Sequence, residues 1–142
     1  MKRSLFNLSH EKLLTCNMGE LIPLTIMDAS PGDVFRQDTS LLIRTQPLLA
    51  PVMHKVDAAI HHWFVPLRVI WEDFENFINQ GEDGAQSPTF PTITMPDNAA
   101  GGVVVNSLAD YLGVPLGENA DTTGYEVSAL PFRAYASIFN GS

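Results

Sequence analysis

The stretch A-A-I-H-H-W-F-V-P-L-R-V-I-W-E-D-F-E-N-F, Ala58 to Phe77, is the densest aromatic and apolar run in the chain. Its period changes halfway. Before Pro66 it is rich in β-branched and aromatic residues, the composition of a strand. After Pro66, Trp71, Phe74, Phe77 and Ile78 recur at helical spacing, with Glu72, Asp73, Glu75 and Asn76 between them. That pattern predicts a buried strand running into a short amphipathic helix. Proline cannot donate a ladder hydrogen bond, so Pro66 marks the strand's end. The predicted strand spans Val52 to Val65. Val56, Ala58, Ile60, His62 and Phe64 share one face, and Asp57, Ala59, His61, Trp63 and Val65 the other. Both faces are largely apolar towards the C-terminal end, as for a strand covered on both sides.

Upstream, residues 1–18 are polar with scattered Leu and Phe and sustain neither period. They read as an extended arm of the kind that lies across a neighbour, anchored by Leu5, Phe6 and Leu8. Gly19 to Met27 reads as an edge or bulged strand interrupted by Pro23. Ser30-Pro31-Gly32-Asp33 is a type II turn signal, with Pro presetting φ and Gly supplying φ > 0. Val34 to Arg44 has good β content, and Pro47 and Pro51 punctuate a loop.

Downstream, Gly81 to Gly102 holds four Gly and three Pro, which favours loop over any regular element. Loops of that length usually serve binding or subunit contact. Val103 to Val105 suggests a brief strand. Ser107-Leu108-Ala109-Asp110 resembles a capping box with Asp for Glu, starting a helix Leu108 to Leu112 that Gly113 ends. Gly113 to Gly124 reads as another loop. Leu130-Pro131 opens a last helix, with Phe132, Tyr135, Ala136 and Phe139 as its apolar stripe. The organisation expected is an arm (1–18), strands (19–70), then a helix with inter-strand insertion loops (71–142).

Composition narrows the function classes. The 142 residues suffice for one domain with a core. Charged residues make up 17%, below the usual quarter, so much surface is expected to be buried against something, other chains being one such cover. Residues 1–68 carry seven basic and six acidic groups; residues 69–142 carry Arg133 against ten acidic groups. The second half is thus a poor partner for phosphates. Lys2 and Arg3 are the candidate nucleic-acid contacts, although a solvated chain end accounts for them equally well. Cys16 is the one cysteine, which excludes an intramolecular disulfide. No signal peptide or membrane span is legible, so synthesis in the cytoplasm without a membrane partner is expected.

No catalytic, cofactor or metal pattern emerges. His61 and His62 are adjacent on a predicted strand and point to opposite faces. His10-Glu11 lacks the second His of a zincin helix, and His54 has no partner at ligand spacing. Cys16 carries no nucleophile signature. Glu72, Asp73 and Glu75 read as the solvated face of their helix. Glu82-Asp83-Gly84 lacks the repeated oxygens of a calcium loop, and Gly101-Gly102 is no phosphate fingerprint. Trp63 and Trp71 read as core or interface residues rather than stacking platforms.

Five strings in order carry a resemblance: R-S-L-F-N-L-S-H (Arg3 to His10), P-G-D-V-F (Pro31 to Phe35), W-F-V-P-L-R-V-I-W-E-D-F-E-N-F (Trp63 to Phe77), D-Y-L-G-V-P (Asp110 to Pro115) and A-L-P-F-R-A-Y (Ala129 to Tyr135). Together they resemble the major capsid protein of the Microviridae, small single-stranded DNA phages, in its gokushovirus-like branch. The resemblance implies a mainly β fold, a viral jelly roll (an antiparallel β-barrel) with long loop and helix insertions, only partly represented here. It implies a structural, non-enzymatic subunit of a small icosahedral (T=1) capsid in the virion. The implied partners are copies of itself, an internal scaffolding protein, a small basic DNA-packaging protein and packaged single-stranded DNA. Family members continue past the A-Y of the last helix into a much longer chain, so an N-terminal fragment is expected. The rivals are a carbohydrate- or receptor-binding β-sandwich module and a small hydrolase working through a pair of carboxylates.

Overall fold

A computed structural model describes residues 4–96, 102–116 and 124–140. The chain divides into two compact units: Met27–Trp63, and the chain up to Ile26 together with Phe64 onward.

The larger unit holds all the regular structure. Its elements are α1 (Leu67–Ile70), α2 (Phe74–Asn79), β1 (Thr92–Thr94), α3 (Leu108–Tyr111), β2 (Glu126–Ser128) and α4 (Leu130–Asn140). The single helix expected after Pro66 is broken in two. Pro66 caps α1, and Trp71 then leaves helical geometry, with φ −143° and ψ 106°. The cause is its side chain. The Trp71 ring is 5% exposed and packs against Phe77, Phe90 and Phe74, at centroid distances of 4.9, 5.4 and 6.1 Å. Phe90 lies outside the helical run, so the backbone turns at Trp71 to bring the ring to it. Ile78, placed on the same stripe by spacing, stays exposed.

The sheet is a correction to the expected loops. Within 81–102, Thr92–Thr94 pairs antiparallel with Glu126–Ser128, matching Thr92 with Ser128 and Thr94 with Glu126. Flanking bonds extend the pairing, from Met95 N–H to Tyr125 O (2.8 Å) and from Ala129 N–H to Pro91 O (2.9 Å). T-I-T between Pro91 and Met95 is β-branched, which suits a short strand. Gly124 makes the approach possible. A Cβ there would lie 2.5 Å from the Met95 carbonyl oxygen.

Val103–Val105 is not a strand; Val103 instead joins Met95 and Val114 in the core, with Ala109, Tyr125, Val127 and Phe132 packed around them. The helix after Ser107 forms as expected. The Ser107 hydroxyl accepts from Asp110 N–H, while Asp110 Oδ2 accepts from Asn106 N–H (2.8 Å) rather than from Ser107. The reciprocal bond of a capping box is thus displaced by one residue. The α4 helix also forms where the stripe places it. Phe132 reaches the core, Tyr135 and Phe139 pack ring to ring at 5.0 Å, and Ala136 is exposed. Arg133 donates to the Ile70 carbonyl at the end of α1 (3.1 Å).

The smaller unit, Met27–Trp63, contains the Ser30–Asp33 turn as expected. Asp33 N–H donates to Ser30 O (3.0 Å) and Gly32 takes φ +88°. Neither Val34–Arg44 nor Val52–Trp63 forms a hydrogen-bonded strand, and in the larger unit neither does Gly19–Ile26. A strand exists only when a lateral neighbour takes its N–H and C=O groups. These segments have no such neighbour among the described residues.

Candidate interaction surface

The chemistry-bearing residues are scattered. Among the described residues no group of three His, Cys, Asp or Glu could hold a metal ion. His61 stacks loosely on Trp63, 6.4 Å between centroids, and the ring of His10 bonds the carbonyl of Leu8, two residues away. Cys16 is exposed. An open concavity of about 340 Å³ lies among His10 to Lys12, Pro23 to Ile26 and Tyr111 to Gly113, and Glu11 is the one carboxylate lining it. An acid pair for hydrolysis is not assembled there. Lys2 and Arg3 lie outside the described residues.

The arm is better placed than its sequence suggested. Lys12 Nζ donates to the carbonyls of Tyr111 and Pro23. Thr15 Oγ1 donates to Asn106 Oδ1 (2.9 Å), and Tyr111 Oη donates back to Thr15 O (2.8 Å). Tyr135 Oη donates to Leu21 O. Residues 12–21 are therefore held on the arm's own unit. Partial burial lowers the Lys12 pKa, and the Asp110 charge works in the opposite direction. Loss of hydration raises the Tyr111 pKa, with Glu20, Cys16 and Asp110 adding to the rise. Before the pinned segment, Leu5, Phe6 and Leu8 stand exposed.

The most extensive feature is apolar surface. In the smaller unit Val34, Phe35, Leu42, Leu49, Met53 and Trp63 are all open to solvent, Leu42 and Met53 at 87% and 86%. Ile60 alone reaches half-burial there. Of this region the sequence placed only Val52–Val65 as a strand covered on both faces, and its part from Val52 to Val56 and at Trp63 is exposed; the low charge content was the signal of surface to be covered.

Apolar surface on this scale marks an interaction surface. The class so defined is a module with a broad exposed apolar surface of the kind that contacts further polypeptide. The sequence model of the family described as "Capsid protein (F protein)" matches residues 1–141, and the chain belongs to that family. Capsid protein VP1 of Bdellovibrio phage phiMH2K is 36% identical over 141 residues, 97% of this chain and 25% of that protein. Capsid protein VP1 of Chlamydia phage 1 is 33% identical over 148 residues (99% and 24%), and that of Spiroplasma virus 4 is 30% identical over 141 (97% and 24%). These matches bear out the resemblance to Microviridae capsid proteins. The chain spans about a quarter of the length of these curated relatives. No solved structure matches it significantly.

Proposed function

We propose that this chain is part of the structural subunit of a small icosahedral single-stranded DNA phage capsid, assembling with copies of itself to enclose the genome. The observation that carries the reading is the open apolar surface of Met27–Trp63, in a chain of the phage capsid family. Covering a Leu, Val, Phe or Met side chain is worth about 1.5–3 kcal/mol. Residues such as Leu42, Leu49 and Met53 therefore favour assembly strongly.

In this reading Gly19–Met27, Val34–Arg44 and Val52–Val65 become strands of an antiparallel jelly roll once lateral neighbours exist. The barrel belongs to the longer polypeptide that the relatives form. The role is structural and non-enzymatic, and the place of action is the virion. An internal scaffolding protein and a small basic packaging protein are the further partners, and Lys2 and Arg3 face the packaged DNA. No helix among the described residues is long and apolar enough to cross a membrane.

Electron microscopy and sedimentation of the expressed full-length protein test the central claim. Closed shells of uniform size are expected; a stable monomer at micromolar concentration would refute it. Replacing Lys2 and Arg3 by Ala tests the DNA contact. Phosphate pairing is salt-sensitive, so the variant should show a shallower salt dependence of particle stability, and an unchanged slope removes the contact.

A further inference from the structure

Three features lie outside the proposed shell role: the open concavity beside Lys12, the acidic exposed face of α2, and the contacts that tie the arm to α3. The first holds one carboxylate and no buried unpartnered polar group, and the second is only the exposed acids Glu72, Asp73 and Glu75 around the start of α2. The third is a built arrangement. Lys12 and Tyr111 are 99 residues apart, yet each serves the other's segment. The Lys12 ammonium bonds the Tyr111 carbonyl, and the Tyr111 hydroxyl bonds the Thr15 carbonyl three residues beyond Lys12. Thr15 adds a side-chain bond to Asn106, which sits just before α3 in the left-handed region (φ 62°) with its N–H on Asp110. Pro23 O supplies a second acceptor to Lys12 (3.3 Å).

We propose that Lys12, Thr15 and Tyr111 form a two-way strap that makes the path of the arm and the ordering of α3 conditional on each other. Each bond lies near the surface and is weak alone. They are coupled because Tyr111 supplies one acceptor and one donor, so losing either end loosens the other. The strap takes up a carbonyl in the last turn of α3, where helical carbonyls lack intrahelical partners. It fixes where the arm leaves the body and holds Leu5, Phe6 and Leu8 ahead of the pinned point. An event that pulls on the arm is thereby felt at α3, and one that repacks α3 frees the arm.

Trypsin reads the strap directly, because cutting after Lys12 needs its ammonium free. The comparison bonds follow Arg44 and Lys55 in the smaller unit; the Lys55 side chain is 83% exposed, and its ion pair with Asp57 (2.6 Å) is a solvent-exposed one, too weak to protect it. In the unaltered protein, cutting after Lys12 should be about tenfold slower than after Lys55. Tyr111→Phe, remote in sequence, should raise cutting after Lys12 about fivefold and leave Lys55 and Arg133 unchanged. Tyr135→Phe, which removes the bond to Leu21 only, should change nothing at Lys12. Equal cutting after Lys12 and Lys55 in the unaltered protein overturns the proposal, and so does indifference of Lys12 to Tyr111→Phe. A rise shared by all sites also overturns it, since the phenol would then be holding the fold at large. Should Tyr111→Phe not fold, Lys12→Met decides by hydrogen exchange. The Tyr111 and Leu112 amides, which donate to the Ser107 and Leu108 carbonyls, should exchange about fivefold faster than in the unaltered protein, and unchanged exchange refutes the strap.

Discussion

Met27–Trp63 and the rest of the chain are built from the same proportion of apolar residues, yet only one of them buries any. In the smaller unit 17 of 37 residues are apolar, close to the 45% of the whole chain. None is buried. Trp71, Met95, Val103, Tyr111, Val114 and Ala129, the buried apolar residues described, all belong to the larger unit. Composition therefore does not make a core; arrangement does. The larger unit has short helices and a strand pair that close on one another. The smaller offers β-type segments whose hydrogen-bonding edges have no partner among the described residues, and its apolar side chains stay open to solvent apart from half-buried Ile60.

The two tryptophans test this contrast most severely, one in each unit. Trp71→Ala removes the buried ring at the centre of three aromatic contacts and should cost about 3–5 kcal/mol in urea unfolding. Trp63, 59% exposed, should cost less than about 0.5 kcal/mol when replaced in the unassembled protein. Acrylamide should quench Trp63 readily and Trp71 poorly, and assembly should shield Trp63. If Trp63 is as protected as Trp71 before assembly, the contrast fails.

Gly124 probes the strand pairing. A methyl group there meets the Met95 carbonyl oxygen, one peptide unit from the bond between Met95 N–H and Tyr125 O, so the end of the strand pair must shift to make room. Gly124→Ala should cost about 1–3 kcal/mol, with faster exchange of the Met95 and Ala129 amides. Gly32 is the one glycine of the smaller unit; an added Cβ there meets open space, so its substitution should cost only the strain of a φ of +88°. Ser107→Ala is gentler. Loss of the N-cap of α3 should cost about 1 kcal/mol by the same unfolding measurement.

What could be read in the sequence was what neighbours in sequence decide. The Ser30–Asp33 turn, the Ser107 cap and the stripe of α4 each rest on residues within one or two turns of each other, and each formed. What could not be read depends on distant partners. Thr92 finds Ser128 36 positions later, Phe90 bends the helix at Trp71, and Lys12 finds Tyr111. The prolines around T-I-T masked a strand because proline-rich stretches more often lie in loops. For the candidate site, low charge signalled surface to be covered, but not that it would concentrate in Met27–Trp63.

The smallest expected effect concerns the tyrosines, all three of which lie in the larger unit. The neutral Tyr111 phenol is favoured in the fold because ionisation there would lose hydration and face the charges of Glu20, Cys16 and Asp110. Its folded pKa thus lies above its unfolded value, ordinarily about 10. The sign follows from proton linkage. Below the unfolded value both states hold the proton, and the full contribution to stability is present. As pH rises towards the folded value, the unfolded chain loses its proton first and the contribution is withdrawn. Absorbance of phenolate near 295 nm should show one phenol titrating late in the folded protein, and Tyr111→Phe should remove that component. Since the smaller unit has no tyrosine, exchange of its amides above pH 10 should follow the ordinary base-catalysed trend, with no added opening. If no phenol titrates late, the Tyr111 hydroxyl is hydrated, and the packed unit is looser at the arm than its contacts imply.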